Sequence, residues 1–401
     1  MTPFHRYVSI CAINELCAQI LNVAIGWQVY AATHNPMSLA YVGLTQFLPN
    51  IAMSLTAGQA ADRFDRRKIT GLSLLAQALC AAALGGLSAA GFGSVGPLYV
   101  LLLLIGLARA FSAPALPPML PHLVSANEFP RAVAATSSAF QICTILGPAL
   151  GGLIYAFSAP GLYAFVAALY LVAVFEISRL GAVSQPSGPT DESCPTDESI
   201  LAGVRYVRAN RLLLALTSLD LFAVLLGGVT ALLPIYARDI LRTGPAGLGC
   251  LKCAPGIGAA VIGFVLANRT IQRGAGKLML TAVAGFGFAT IVFALSTNFW
   301  LSLIALVSLG GFDMVSMVIR GALLQTSTPD AMRGRVSAVN GVFISASSEL
   351  GQVESGVTAA LLGTVPAALL GGVGTMAIVA LWTWIFPELH QADKPVAEPR
   401  P

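Results

Sequence analysis

Residues 58–67 read Gly58-Gln59-Ala60-Ala61-Asp62-Arg63-Phe64-Asp65-Arg66-Arg67, with Lys68 next. Apolar runs flank this short, densely charged joint, at roughly 39–60 before it and 69–90 after it, each about 20 residues long, which is what crossing a bilayer requires. The joint therefore turns the chain back at a membrane surface. Its residue types have separate tasks. Gly58 permits two helices to approach closely, Asp62 can accept hydrogen bonds from the N-terminus of a neighbouring helix, and the arginines anchor the loop to headgroups. A loop made basic only by its side of the membrane would carry Arg and Lys in any order, not Gly, Asp and Arg at these spacings.

The same alternation continues in both directions. Of 401 residues, 56% are hydrophobic and 10% charged, against about 25% charged in an ordinary soluble chain. No two-domain globule encloses that much apolar surface, so the chain reads as a polytopic, all-α membrane protein. Helices are expected at roughly 7–31, 39–60, 69–90, 97–117, 132–157, 161–178, 212–236, 247–267, 277–296, 299–323, 335–362 and 367–386. With twelve spans both termini share one side. Most of the 22 Lys/Arg, among them Arg6, Arg63, Arg131, Arg179, Arg208 and Arg335, fall on that side, which the positive-inside rule makes cytoplasmic. Arg238, Arg242 and Lys252 fall on or near the other face. A net charge of +4 with its bases in short loops excludes a nucleic-acid binder. Cysteines set in apolar stretches exclude a disulfide-framed secreted domain, and Cys250-x-x-Cys253, without a second such pair, reads as coincidence. No cleavable signal peptide is expected, because Pro3 and His5-Arg6 lead straight into a long span.

Polar residues 179–211 divide the chain into a six-helix bundle at 1–178, a cytoplasmic linker at 179–211, a second bundle at 212–386 and a cytoplasmic tail at 387–401. The linker holds a tandem duplication, Pro189-Thr190-Asp191-Glu192-Ser193 and Pro195-Thr196-Asp197-Glu198-Ser199, with nothing apolar to pack. Ser199 can cap a short amphipathic helix expected to lie on the cytoplasmic membrane surface. The halves repeat each other weakly. A shift of 204 places Arg131 on Arg335, Gly147 on Gly351, Gly152 on Gly356 and Arg109 on Asp313; a shift of 205 places Glu15 on Asp220. Duplicated halves enclosing a midplane site are a transporter pattern.

Gly58 to Arg67 resembles the loop signature of the major facilitator superfamily, Gly-x-x-x-Asp-Arg-x-Gly-Arg-Arg/Lys, with Asp65 in place of the usual glycine. Asp tolerates a left-handed turn better than most residues, so the turn is expected to survive. The resemblance implies twelve helices in two pseudo-symmetric halves, and a cytoplasmic gating role for Gly58, Asp62, Arg63, Arg66 and Arg67. Gly147-Pro148-Ala149-Leu150-Gly151-Gly152 is similar to the Gly-Pro-x-x-Gly-Gly element tied to export by antiport in that superfamily, although Cys143 stands where the longer pattern has glycine. Such glycines equally serve plain helix contact. Arg109 is similar to the fourth-span arginine that the antiporters link to proton coupling. The loops around Pro121–Arg131 and Leu324–Arg335 look like the bacterial enterobactin-exporter branch, which implies an inner-membrane location.

Charges inside spans cost about 2.5–3.5 kcal/mol each on insertion scales, so they face a cavity or a partner. Glu15, Gln19, Asn22 and Gly26 form one stripe on a helix face. It lines a cavity or forms a buried hydrogen-bonded network. Arg109 is too deep to snorkel easily. Asp220 lies nearer the cytoplasmic end, where hydration is cheap. Asp313 and Arg320 share a face but are too far apart along the helix for a simple pair. Glu349 joins Ser345 and Gln352 in a second stripe, while Glu354 points elsewhere. The leading expectation is a secondary transporter for proton-driven export of a small organic molecule or siderophore, with no cofactor beyond the proton gradient, no metal and a monomeric chain. Uptake or lysophospholipid flipping is the rival on the same fold, and a transport-dead receptor or scaffold the rival of another class. No HExxH, Walker loop or Gly-x-Ser-x-Gly elbow points to an enzyme.

Overall fold

A computed structural model describes residues 2–91, 95–180, 197–268 and 274–391; the side chains of residues 54, 55, 62, 197–201, 331, 390 and 391 lie outside the description. Six long helices come first: α1 (Pro3–Thr33), α2 (Pro36–Arg63), α3 (Arg66–Ala89), α4 (Gly96–Ala115), α5 (Phe129–Phe157) and α6 (Ala159–Ser178). A short α7 (Asp197–Ala209) precedes α8 (Arg211–Leu226), α9 (Gly244–Ala267), α10 (Ala275–Leu295), α11 (Phe299–Thr326), α12 (Asp330–Leu362) and α13 (Thr364–Ile385). Most starts are written locally. Asn35, Asn210 and Asn298 accept from backbone N–H groups two residues on at 3.0, 3.1 and 2.9 Å, and Ser158 accepts from Gly161 at 3.0 Å, each satisfying a donor that the first turn orphans.

Among the described residues there is no strand, and ten helices are long and apolar enough to cross a membrane. The remaining two long helices, α2 and α12 with 28 and 33 residues, are interrupted by Gln46 and Asn50 in one and by Asn340, Glu349, Gln352 and Glu354 in the other. Large apolar side chains such as Phe157, Phe264, Leu361 and Trp384 stand open on the outside, as lipid contact demands.

The chain forms two compact units, Met1–Pro189 with Pro234–Cys253, and Thr190–Leu233 with Ala254–Pro401. In the first, α1 packs on α5, α2 on α4, and α3 on α6. In the second, α8 packs on α12 and α10 on α13, and Gly310 of α11 meets the Pro255 backbone of α9. Each unit has a glycine seam between two of its helices. A Cβ on Gly147 of α5 would stand 2.5 Å from Gln19 Cβ of α1, and one on Gly351 of α12 would stand 2.9 Å from Val224 O and 3.0 Å from Leu225 O of α8. The fully buried Tyr163 and Tyr170 of α6 fill the first core, beside Leu74, Leu84 and Ile20.

Three readings change. Residues 212–236 are not one helix: α8 ends at Leu226, Gly227-Gly228 follows, and a 3-10 turn and a π turn carry the chain to Ile240. A Cβ on Gly228 would meet Gly351 O at 2.5 Å, so the break is where α12 presses on the backbone. Asp197 already begins α7, so Ser199 lies inside that helix instead of capping it; its side chain is outside the description, as is the preceding duplication through residue 196. Nor does α7 lie with its whole apolar face free for the membrane. Val207 is 2% exposed in a cluster with Val336 and Val339 of α12, and Gly203 lies against Arg335 O and Val339 Cγ2.

Candidate functional site

The α1 stripe and the span-five glycines, far apart in sequence, form one seam. Gln19 Nε2 donates to Glu15 Oε1 at 2.7 Å, and Thr144 of α5 donates to the same oxygen at 3.4 Å. Gly147, Pro148, Gly151 and Gly152 are all buried. A Cβ on Gly151 would lie 3.0 Å from Ile20 Cα, and one on Gly152 would strike Pro245 O and, at 2.8 Å, Gly249 Cα. The glycine element thus serves close helix contact on two sides and brings α5 against the acid of α1.

Arg109 lies in α4, half-buried, and no ion pair to it occurs among the described residues. The buried phenol of Tyr170, whose oxygen has no hydrogen-bond partner, is within electrostatic reach of both Arg109 and Glu15. An acid held by neutral donors and a base with no ion pair among the described residues therefore both act electrostatically on one buried tyrosine.

Asn22 is exposed, and Lys252 Nζ of α9 donates to its Oδ1 at 3.0 Å and to its backbone oxygen at 3.4 Å. Sequence reasoning set Lys252 aside as a marker of the outer face. It is the ninth residue of a helix that starts at Gly244, about 12 Å from that end. A lone base near a helix end carries no signal that separates a surface anchor from an inward-facing cation. Tyr30 donates to Asp239 Oδ2 nearby in the chain's first unit, a pairing equally invisible from spacing.

In the second unit Asp220 and Arg320, 9% and 5% exposed, form an ion pair. Asp220, at a position where hydration would be cheap, instead has its carboxylate buried against Arg320 of α11. Arg320 and Asp313 indeed do not pair, and Asp313 keeps an open side chain. A narrow cleft with room for about one water lies between α8, α10 and α11, lined by Asp220, Val283, Phe286, Phe312, Asp313 and Ser316. On α12, Glu349 and Gln352 are half-buried, while Glu354 accepts from Thr358 at 2.7 Å.

The loop motif is built differently from its reading. A Cβ on Gly58 would meet nothing within 4 Å, so no helix presses on it here. Asp65 has φ −58°, not the left-handed turn expected, and caps α3: Arg67 N donates to its Oδ1 at 2.9 Å. Asp thus replaces glycine by supplying an N-cap. Burial pushes its carboxyl up, but hydrogen bonds from the Arg67 side chain and backbone, with the charges of Arg67 and Lys68, leave it below the ordinary value. Arg67 also donates to Leu180 O, tying the loop to the end of α6, and Arg66 Nε donates to Ala61 O at 3.1 Å. Arg63 is exposed. The Asp62 side chain lies outside the described residues.

Polar and charged groups gathered on the inner faces of long apolar helices define a multi-pass membrane protein built to carry solutes. The family described as "Transmembrane secretion effector" matches residues 3–399, and the chain belongs to this family of major facilitator transporters; it is not an enzyme. It is 29% identical over 378 residues to the Enterobactin exporter EntS of Escherichia coli O81 (strain ED1a), covering 92% of this chain and 84% of that one. The protein of the same name from Shigella boydii serotype 18 is 28% identical with the same coverage. Among solved structures, the chain resembles a mutant of the nucleoside transporter NupG (TM-score 0.76, 11% identity, 96% of this chain and 100% of that one). It also resembles a bacterial homologue of the lysosomal transporter Spinster in an inward-facing, occupied conformation (TM-score 0.74, 12% identity, 99% and 98%). These two likenesses concern the fold.

Proposed function

We propose that the chain is a proton-coupled exporter of a small organic molecule, a siderophore among the candidates, working as a monomer by alternating access. In this reading α1–α6 and α8–α13 are twelve spans in two six-helix halves, with a cytoplasmic linker and both termini in the cytoplasm of a bacterial inner membrane. The recurrence of the α1–α5 seam in α8–α12 supports the two halves. The exporter names of relatives that match most of the chain support the direction. The proton gradient is the driving force and no bound cofactor takes part.

Glu15 is the observation that carries the coupling. Its carboxylate is held by Gln19 and Thr144 on a glycine seam, and Arg109, without an ion pair among the described residues, is within electrostatic reach of the same Tyr170. A carboxyl in such a place can exchange a proton when its surroundings alternate between two sides. Everted membrane vesicles loaded with a pH-sensitive dye provide the test. Adding a transported substrate should release stored protons in the wild type, and Glu15→Gln and Arg109→Ala should reduce the signal to background at equal protein levels. Substrate accumulation without proton movement would refute antiport, intact proton-coupled efflux in both variants would show that Glu15 and Arg109 do not carry the coupling, and absence of any efflux in the wild type would favour a receptor or scaffold.

A further inference from the structure

We propose that Lys252 and Asn22 form the subsite for the acidic group of the transported molecule, which makes the substrate of the exporter a small organic anion. This deepens the exporter reading and rests on it.

Most charges inside the helices are already held. Asp220 and Arg320 neutralise each other. Glu15 and Glu354 are held by uncharged donors. Lys252, like Arg109, has no carboxylate partner among the described residues, and its ammonium reaches only the two neutral oxygens of the exposed Asn22. An ammonium is a compact charge with three donors. With two donors on one asparagine, it has capacity left for an oxyanion. A cation inside a span costs free energy unless something compensates it, and a bound carboxylate or ionised phenol does so.

Access follows from the neighbours. Asn22 is exposed, whereas Gln19 before it packs against Gly147, and a Cβ on Gly26 after it would stand 3.3 Å from Pro234 Cγ. Protein therefore bounds the opening at Asn22 along the stripe, and a solute that reaches Asn22 reaches the lysine. Glu15 sits two turns further in on the same face. The α1 stripe thus places a candidate proton carrier and an anion receiver in sequence along one helix.

The test uses fluorescein, an anion at neutral pH, and rhodamine methyl ester, a cation on the same ring system. Efflux of each is measured from cells, and binding to detergent-purified protein is measured by fluorescence anisotropy. Wild type should bind and export fluorescein in preference to the cation. Lys252→Met should weaken fluorescein binding and efflux by roughly tenfold or more, the scale of one charge-assisted hydrogen bond, and Lys252→Arg should restore most of it. A monodisperse Lys252→Met protein with an unchanged melting midpoint excludes misfolding; if it fails that check, Asn22→Ala, which leaves the charge in place but removes its holder, should weaken fluorescein binding alone. Equal fluorescein binding in wild type and Lys252→Met, or preference of the wild type for the cation, would overturn the anion subsite while leaving the exporter reading intact. Fluorescein bound through Lys252 but exported by neither protein would sink the exporter reading alone.

Discussion

Asp220 and Arg320 show how a single side chain's role depends on a residue about a hundred positions away. Each is nearly fully buried, and each is the other's counter-charge. Removing one partner leaves an uncompensated charge, which costs about 3–5 kcal/mol in buried pairs. Asp220→Asn and Arg320→Gln should therefore each lower the thermal midpoint of the detergent-purified protein, and the double variant should recover much of the loss. Equal losses that simply add would mean the two do not act as a pair. The polar stripe of Glu15, Gln19 and Asn22 was readable because its members lie on one helix at helical spacing. The Asp220–Arg320 and Asn22–Lys252 contacts were not, because no local pattern tells one lone charge which other helix it will meet.

At the scale of elements, the glycines of α5 and α2 separate cleanly. Gly147 faces Gln19 so closely that a methyl group has no room, whereas Gly58 faces open space. Gly147→Ala should cost about 1–3 kcal/mol by overpacking, and Gly58→Ala should be neutral or stabilising by up to about 1 kcal/mol through helix propensity. Thermal midpoints of both variants check this, and equal destabilisation would contradict it. The cap of α3 supplies a pH signature. Because the folded-state carboxyl of Asp65 lies below its ordinary value, the stabilisation is complete above the unfolded value of about 3.9. It is lost as pH falls through the lower folded value. Asp65→Asn removes that acid-dependent part, so the wild-type advantage in midpoint should shrink on acidification below about pH 4. A constant difference would show that charge is irrelevant to the cap. Sequence placed this loop between two helices correctly; the capping role was missed because the family pattern suggested a turn glycine, and the same Asp suits either position.

For the molecule as a whole, the linker helix is part of the second unit. Val207 is buried against α12, while Arg205 and Arg208 are exposed. Val207→Asp places a charge in that contact and should free α7, so that trypsin cleaves native membranes in the linker several-fold faster than wild type. An unchanged cleavage rate would mean that Val207 does not hold the helix. The assignment of Pro234–Cys253 to the first unit was likewise absent from the linear pattern, which divided the chain at its polar linker.

Apolar runs of bilayer length, short charged joints and the order of Gly, Asp and Arg between them were enough to determine that this chain is helical, membrane-spanning and of the transporter family. Those properties are set by the solvent each segment meets, and solvent preference is written residue by residue. Which charges pair, which glycines are pressed by a neighbour and where span seven breaks were decided only by the tertiary structure. Packing and electrostatics act between groups distant in sequence, and their strength depends on separations of a few ångströms that no spacing along one helix contains.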